Sequence, residues 1–129
     1  MSTVFSRIIA GELPGQFVHR DDLVVAFLSI QPLSQGHTLV VPRVEIDDWL
    51  ECPDEVRDRL FAVSQRVGRA IRDVFAPSRV GLIVAGFEVP HLHVHVFGVV
   101  GLESFDFRLA REATQEELAV VAGRLRDAM

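Results

Sequence analysis

The sequence predicts an α+β domain: an antiparallel sheet of about five strands, one long helix, and a shorter helix near the C-terminal end. Three observations carry this. Val56, Leu60, Val63, Val67, Ala70 and Val74 recur at steps of three and four, which marks one buried face of a long helix. Two β-rich blocks flank that helix, the pattern of an α+β fold with an antiparallel sheet. The chain has 129 residues and shows no internal repeat, low-complexity tract or linker, so residues 1–129 form one domain.

The elements follow in order. Phe5 to Ala10 reads as a short apolar helical turn, stopped by Gly11 and Pro14. Phe17 to Arg20 and Leu23 to Leu28 read as two strands, and Asp21-Asp22 between them supplies hairpin turn chemistry. Pro32 to Gly36 is a loop, and His37 to Val41 is a third strand ended by Pro42. The long helix runs from Asp54 to Phe75. Pro53 suits its start, Asp54 and Glu55 complement its dipole, and Pro77 lies just beyond its end. Val80 to Ala85 and His91 to Val100 are the last two strands. Thr114 is a good N-cap, and Glu117 three residues on completes a capping box for a helix running to about Ala128.

Composition narrows the function classes. The formal charge is -5 at pH 7, which does not favour nucleic acid as a partner. It leaves room for a small anionic ligand, because a local field can oppose the global one. The single cysteine, Cys52, allows no internal disulfide. No stretch reaches the ~18 apolar residues of a membrane helix, and Met1 to Gly11 has no signal-peptide layout. A cytoplasmic protein away from membranes is expected.

The chemistry points to His91, His93 and His95. On a strand, alternate residues share a face, so the three imidazoles should line an open face while Leu92, Val94 and Val96 point into the core. One reading is purely structural. Another is a metal site, in which two of the three join a further ligand such as His37. A third is a row that handles anions. Imidazoles attack phosphorus, donate to phosphoryl oxygens and pass protons near neutral pH.

His91-Leu92-His93-Val94-His95-Val96 resembles the His-x-His-x-His-x-x signature of the histidine triad (HIT) family. Phe5 to Pro14 (FSRIIAGELP), Asp21 to Leu28 (DDLVVAFL) and Gly36 to Pro42 (GHTLVVP) resemble that family's N-terminal half in order and spacing. The resemblance covers roughly residues 3 to 99, leaving a C-terminal extension with a helix at about 114–128. Glutamine in place of the third histidine marks the transferase and phosphorylase branches. His95 points instead to the compact nucleotide-binding branch and to hydrolysis.

The resemblance implies a HIT-like sheet in a two-fold homodimer, a purine nucleotide or nucleotide conjugate as ligand, and no cofactor. It implies that His93 attacks phosphorus to form a nucleotidyl-histidine, that His95 and His37 hold the phosphate, and that His91 fixes the tautomer of His93. Phe5, Ile8, Phe27, Leu28, Ser29 and Ile30 would line the nucleotide cleft. His19 matches no family position and reads as a surface residue.

The departures are informative. Ser29 stands where the family has an aspartate that holds the ribose. Glu88 stands where a serine assists the leaving group, in a loop about four residues shorter. An asparagine near Val84 or Ala85 is absent. Next to a bound phosphate a carboxyl is favoured in its protonated form, so Glu88 is a candidate acid. Thr3, Ser6 and Glu45 occupy positions that hold structural zinc in many bacterial relatives. Both sulfur ligands are missing, so no metal is expected. The implied activity is hydrolysis of a nucleoside phosphoramidate or related nucleotidyl bond. The alternatives are a nucleotide-binding dimer with little turnover, a dinucleoside polyphosphate hydrolase, and a metal-dependent enzyme.

Overall fold

A computed structural model describes residues 2–129. Its elements are α1 (Val4–Ile9), β1 (Phe17–Arg20), β2 (Val24–Leu28), β3 (Thr38–Pro42), α2 (Asp54–Phe75), β4 (Arg79–Ile83), β5 (Val94–Val99) and α3 (Gln115–Ala128). The strands form one antiparallel sheet in the order β1-β2-β3-β5-β4. The α+β architecture is therefore the one the periodicity predicts.

Local chemistry explains the turns. The Asp21 carboxylate accepts from the amides of Leu23 at 2.7 Å and Val24 at 2.9 Å, closing the β1–β2 hairpin. At α3 the Thr114 hydroxyl accepts from the Glu117 amide while the Glu117 carboxylate accepts from the Thr114 amide, both at 3.1 Å. This capping box satisfies two otherwise orphaned helix donors.

Strand alternation splits the core into two layers. Val24, Ala26, Leu28, Val40, Val94 and Val96 face α2 and α3, where they meet Val63, Val67, Ile71, Leu118, Ala122 and Leu125. Phe5, Val25, Phe27, Leu39 and Val41 form the second layer on the opposite face, under α1. No helix among the described residues is long and apolar enough to cross a membrane.

Three expectations need correction. The last strand begins at Val94, not His91. The His91 carbonyl accepts from the His93 ring at 2.7 Å, and the Leu92 amide donates to Ile46 at 2.6 Å, so these groups are spent before the ladder with β3 begins. The histidines are also not on an open face. His91, His93 and His95 are 0%, 2% and 6% exposed, because α1 and the chain after β5 cover them. His19 is mostly buried and bonds to the Asp21 carboxylate at 2.6 Å.

Periodicity assigns no element to residues 101–113. The structure places 3-10 turns there at Leu102–Ser104 and Phe107–Leu109, and another at Trp49–Glu51.

Candidate active site

The histidines form one packed row. The Phe5 ring on α1 meets His91 and His93 edge-on, with centroids 5.7 Å and 4.9 Å away. The His93 and His95 rings lie 4.9 Å apart, and His95 touches His37 across the β3–β5 pair at 5.2 Å.

Burial makes each ring nitrogen account for its proton. His91 Nε2 lies 2.8 Å from the Pro42 carbonyl, which only accepts, so that nitrogen carries hydrogen. His91 Nδ1 then accepts from the Thr3 hydroxyl at 2.6 Å. His93 Nδ1 faces the His91 carbonyl and must donate, which leaves Nε2 with a free lone pair in the neutral ring. The Leu33 amide donates to His37 Nδ1 at 2.9 Å. His37 Nε2 therefore carries hydrogen and donates to His95 Nδ1 at 3.0 Å. His95 Nε2 is left as an N–H donor. It is buried and, among the described residues, has no hydrogen-bond partner.

Glu88 reaches into this space. Its carboxylate lies 3.4 Å from His93 Nε2 and 3.9 Å from His95 Nε2. Beside His93, a cavity of about 270 Å³ opens between Asp47-Asp48-Trp49 and Val84-Ala85-Gly86.

Glu88, His93 and His95 each place a ligand-type atom within 4.8 Å of the others, so a metal reading has geometric substance. Proton wiring opposes it. A metal needs a bare His95 Nε2, and the bond from His37 puts the hydrogen on that atom.

Other predicted residues fall where alternation puts them. Phe5 and Phe27 meet edge-on at 5.6 Å on the histidine face, with Ile8 beside them. Leu28 turns to the α2 layer, away from the histidines, because adjacent strand residues face opposite ways. Ile30 is exposed, and Ser29 is buried with its hydroxyl accepting from the Gln31 amide at 3.2 Å. His37 stands behind His95 with both nitrogens engaged, one by the Leu33 amide and one by His95.

Thr3, Ser6 and Glu45 do converge. The Ser6 hydroxyl and the Thr3 amide both donate to Glu45 Oε1, at 2.6 Å and 2.9 Å. The Ser6 bond, with help from the Thr3 amide, holds the Glu45 carboxyl below its ordinary range. A hydrogen-bond node thus links α1, Glu45 and His91. Sequence reading missed this link, although it had grouped three of the four residues. It also missed Phe107, whose ring packs edge-on against His95 at 5.0 Å and which no periodicity singles out.

Burial, followed by the His95 and His93 charges, pulls His37 from 6.5 down to about 3. Burial, then His93, takes His95 down to about 4, against a smaller opposing pull from Glu88. Both rings are neutral at pH 7. Below pH 6.5 the unfolded chain binds protons at these positions and the folded chain does not. Their contribution to stability is therefore complete above about pH 6.5 and is lost as pH falls toward 4, by at most about 1.4 kcal/mol per pH unit for each ring. Urea midpoints should fall steadily between about pH 7 and pH 5. A His37→Gln variant should show a shallower fall, and equal slopes would contradict neutral burial.

A family model for the HIT domain matches residues 10–100. The chain is 38% identical over 98 residues to the protein "hit" of Bacillus subtilis, a match spanning 72% of this chain and 68% of that protein. It is 32% identical over 104 residues to the purine nucleoside phosphoramidase of Escherichia coli K12, covering 74% of this chain and 86% of that one. Among solved structures, a HIT-like protein from Bartonella henselae superposes with a TM-score of 0.86 at 26% identity, covering 99% of this chain and 96% of that one. A zinc-bound histidine triad family protein from Mycobacterium smegmatis gives 0.83 at 28% identity, covering 99% and 93%. With its triad, its sheet order and these matches together, the chain belongs to the HIT, or histidine triad, domain family.

Proposed function

We propose that this protein hydrolyses a purine nucleoside phosphoramidate, or a related nucleotidyl bond, through a covalent nucleotidyl-His93. The observation that carries this is the proton pattern: a bare nitrogen at His93 Nε2 beside a buried, unpartnered N–H at His95 Nε2. The first is a nucleophile. The second is a donor aimed where charge builds on a phosphoryl oxygen. The Escherichia coli relative carries an activity of this class in its name.

In the step we propose, the His93 lone pair forms a bond to the α-phosphorus as the phosphorus–nitrogen bond breaks. The electron pair leaves with the amine, which needs a proton. Glu88, 3.4 Å from His93 Nε2 and partly open to solvent, is placed to hold a proton drawn from solvent and to give it to the amine. Water then opens the intermediate, with the same carboxylate as base. Phe5, Ile8, Phe27, Ser29 and Ile30 border the nucleoside in this reading, and His91 positions His93 through its carbonyl.

Charge helps to rank the alternatives. Asp47, Asp48 and Glu88 line or adjoin the space around His93, and no arginine lines the cavity there. Such walls disfavour the anionic leaving group of a dinucleoside polyphosphate and suit an amine. The reading as a binding module with little turnover draws on Glu88 standing beside both catalytic nitrogens, and on Ser29 offering one hydroxyl to a ribose.

A second copy is the proposed partner. The β4 edge strand exposes Leu82, and Phe61 on α2 is exposed across a groove that also includes Gly68 and Val80. An unpaired edge beside exposed apolar side chains suits two-fold pairing. Cys52 is unpaired in the chain, and we place the protein in the cytoplasm.

Incubation with an adenosine phosphoramidate should leave nucleotide on His93, detectable by intact mass after an acid-free quench. His93→Ala should abolish both the adduct and turnover, and turnover within about tenfold of the parent would overturn the assignment. Glu88→Gln should slow substrates with poor leaving groups at least about tenfold more than activated ones. Equal slowing would leave Glu88 without a role as acid. Light scattering at micromolar concentration should give twice the chain mass, and a monomer would remove the pairing proposal.

A further inference from the structure

We infer that the segment from Phe105 to Ala113, beyond the residues that the family model matches, is a positioning element for the proton wiring of His95. Its kinetic consequence rests on the hydrolase reading; the wiring itself does not.

The neutral His37–His95 pair has two self-consistent proton arrangements. In one, hydrogen sits on Nε2 of both rings, and His95 offers a donor to the site. In the other, hydrogen sits on Nδ1 of both, the shared bond reverses, and His95 Nε2 offers a lone pair. A lone pair repels a phosphoryl oxygen that the donor would hold. What meets His37 Nδ1 selects between them. The Leu33 amide can only donate, so it selects the first arrangement.

Leu33 sits in the loop between β2 and β3, and the C-terminal segment holds that loop in place. The Ala113 amide donates to the Ile30 carbonyl at 3.1 Å, and the Arg111 amide to the Pro32 carbonyl at 3.2 Å. These two bonds bracket the approach to Leu33. Farther along, the Ser34 hydroxyl donates to the Gly98 carbonyl at 2.9 Å. Gly36 turns with φ +90°, where a Cβ would stand 2.9 Å from the Phe75 ring, so that corner admits only glycine.

The same segment also packs against the rings. Phe107 meets His95 at 5.0 Å, and Phe105 meets Phe97 at 5.4 Å, which in turn meets His37 at 5.3 Å. Phe105 fits because position 81 is glycine, where a Cβ would lie 2.6 Å from its ring. A half-turn of either imidazole would put carbon where a nitrogen now bonds. The aromatic wall keeps the rings from turning, and the loop keeps the donor on His37.

The test is a matched pair at position 113. Ala113→Pro deletes the amide hydrogen, and Ala113→Gly keeps it. Ring nitrogen shifts of 15N-histidine-labelled protein report the His95 tautomer directly. The parent and the Gly variant should show hydrogen on Nε2, while the Pro variant should show a mixture of tautomers. Its kcat on an adenosine phosphoramidate should fall about tenfold, with KM moving less than about threefold. If the Pro variant does not fold, Phe107→Leu carries the test, with the same shift in tautomer expected. Folded variants that keep the parent's His95 tautomer overturn the inference. If the tautomer shifts in a series whose parent turns over no phosphoramidate, the positioning role stands and the proposed reaction falls.

Discussion

Burying four imidazoles together is the constraint from which the rest of this structure follows. A buried ring nitrogen must donate or accept, and a wrong partner costs as much as none. The fold answers with carbonyls at Pro42 and His91, a hydroxyl at Thr3 and an amide at Leu33. These are mostly backbone groups on separate elements, so the tautomers are set by the path of the chain. One donor, His95 Nε2, is left unpaid. Among the described residues, it is the one side-chain atom fully shut off from solvent without a hydrogen-bond partner, which is why the proposed function turns on it.

Much of the fold was legible because its signals are local. The Asp21 turn, the α2 period and the Thr114–Glu117 box each lie within a few residues of sequence, and all occur in the structure. The start of β5 was not legible, because the ladder is interrupted by a ring bonding to a carbonyl two residues back. Nor was the role of His37, whose bond to His95 spans 58 residues. Leu28 is different. The alternation that grouped the three histidines also separates Leu28 from Phe27, and applying it there would have kept Leu28 out of the cleft.

The departures from the family pattern divide into two kinds. Thr3, Ser6 and Glu45 preserve a connection with different chemistry. Oxygen groups join α1 to His91, and the node holds the first imidazole. Glu88 changes the electrostatics instead. It brings a carboxylate within 3.4 Å of His93 Nε2, beside the His37 and His95 rings that burial keeps neutral at pH 7. In the reaction proposed above, the His95 N–H dipole faces the phosphoryl group, so one added negative charge bears directly on which ligands the site would accept.

The C-terminal segment shows why domain boundaries drawn from a family match can mislead. Leu118, Ala122 and Leu125 of α3 are buried in the main core, so the segment is anchored by apolar burial. Anchoring fixes where Ala113, Arg111 and Phe107 stand, and these residues touch the loop and ring that carry the His37–His95 protons. Core packing and proton placement are therefore coupled in this chain. A change that loosens α3 without unfolding the sheet would act on His95 before it acts on the fold, because tautomer selection depends on one amide held by two bonded carbonyls, whereas the sheet depends on four strand pairings.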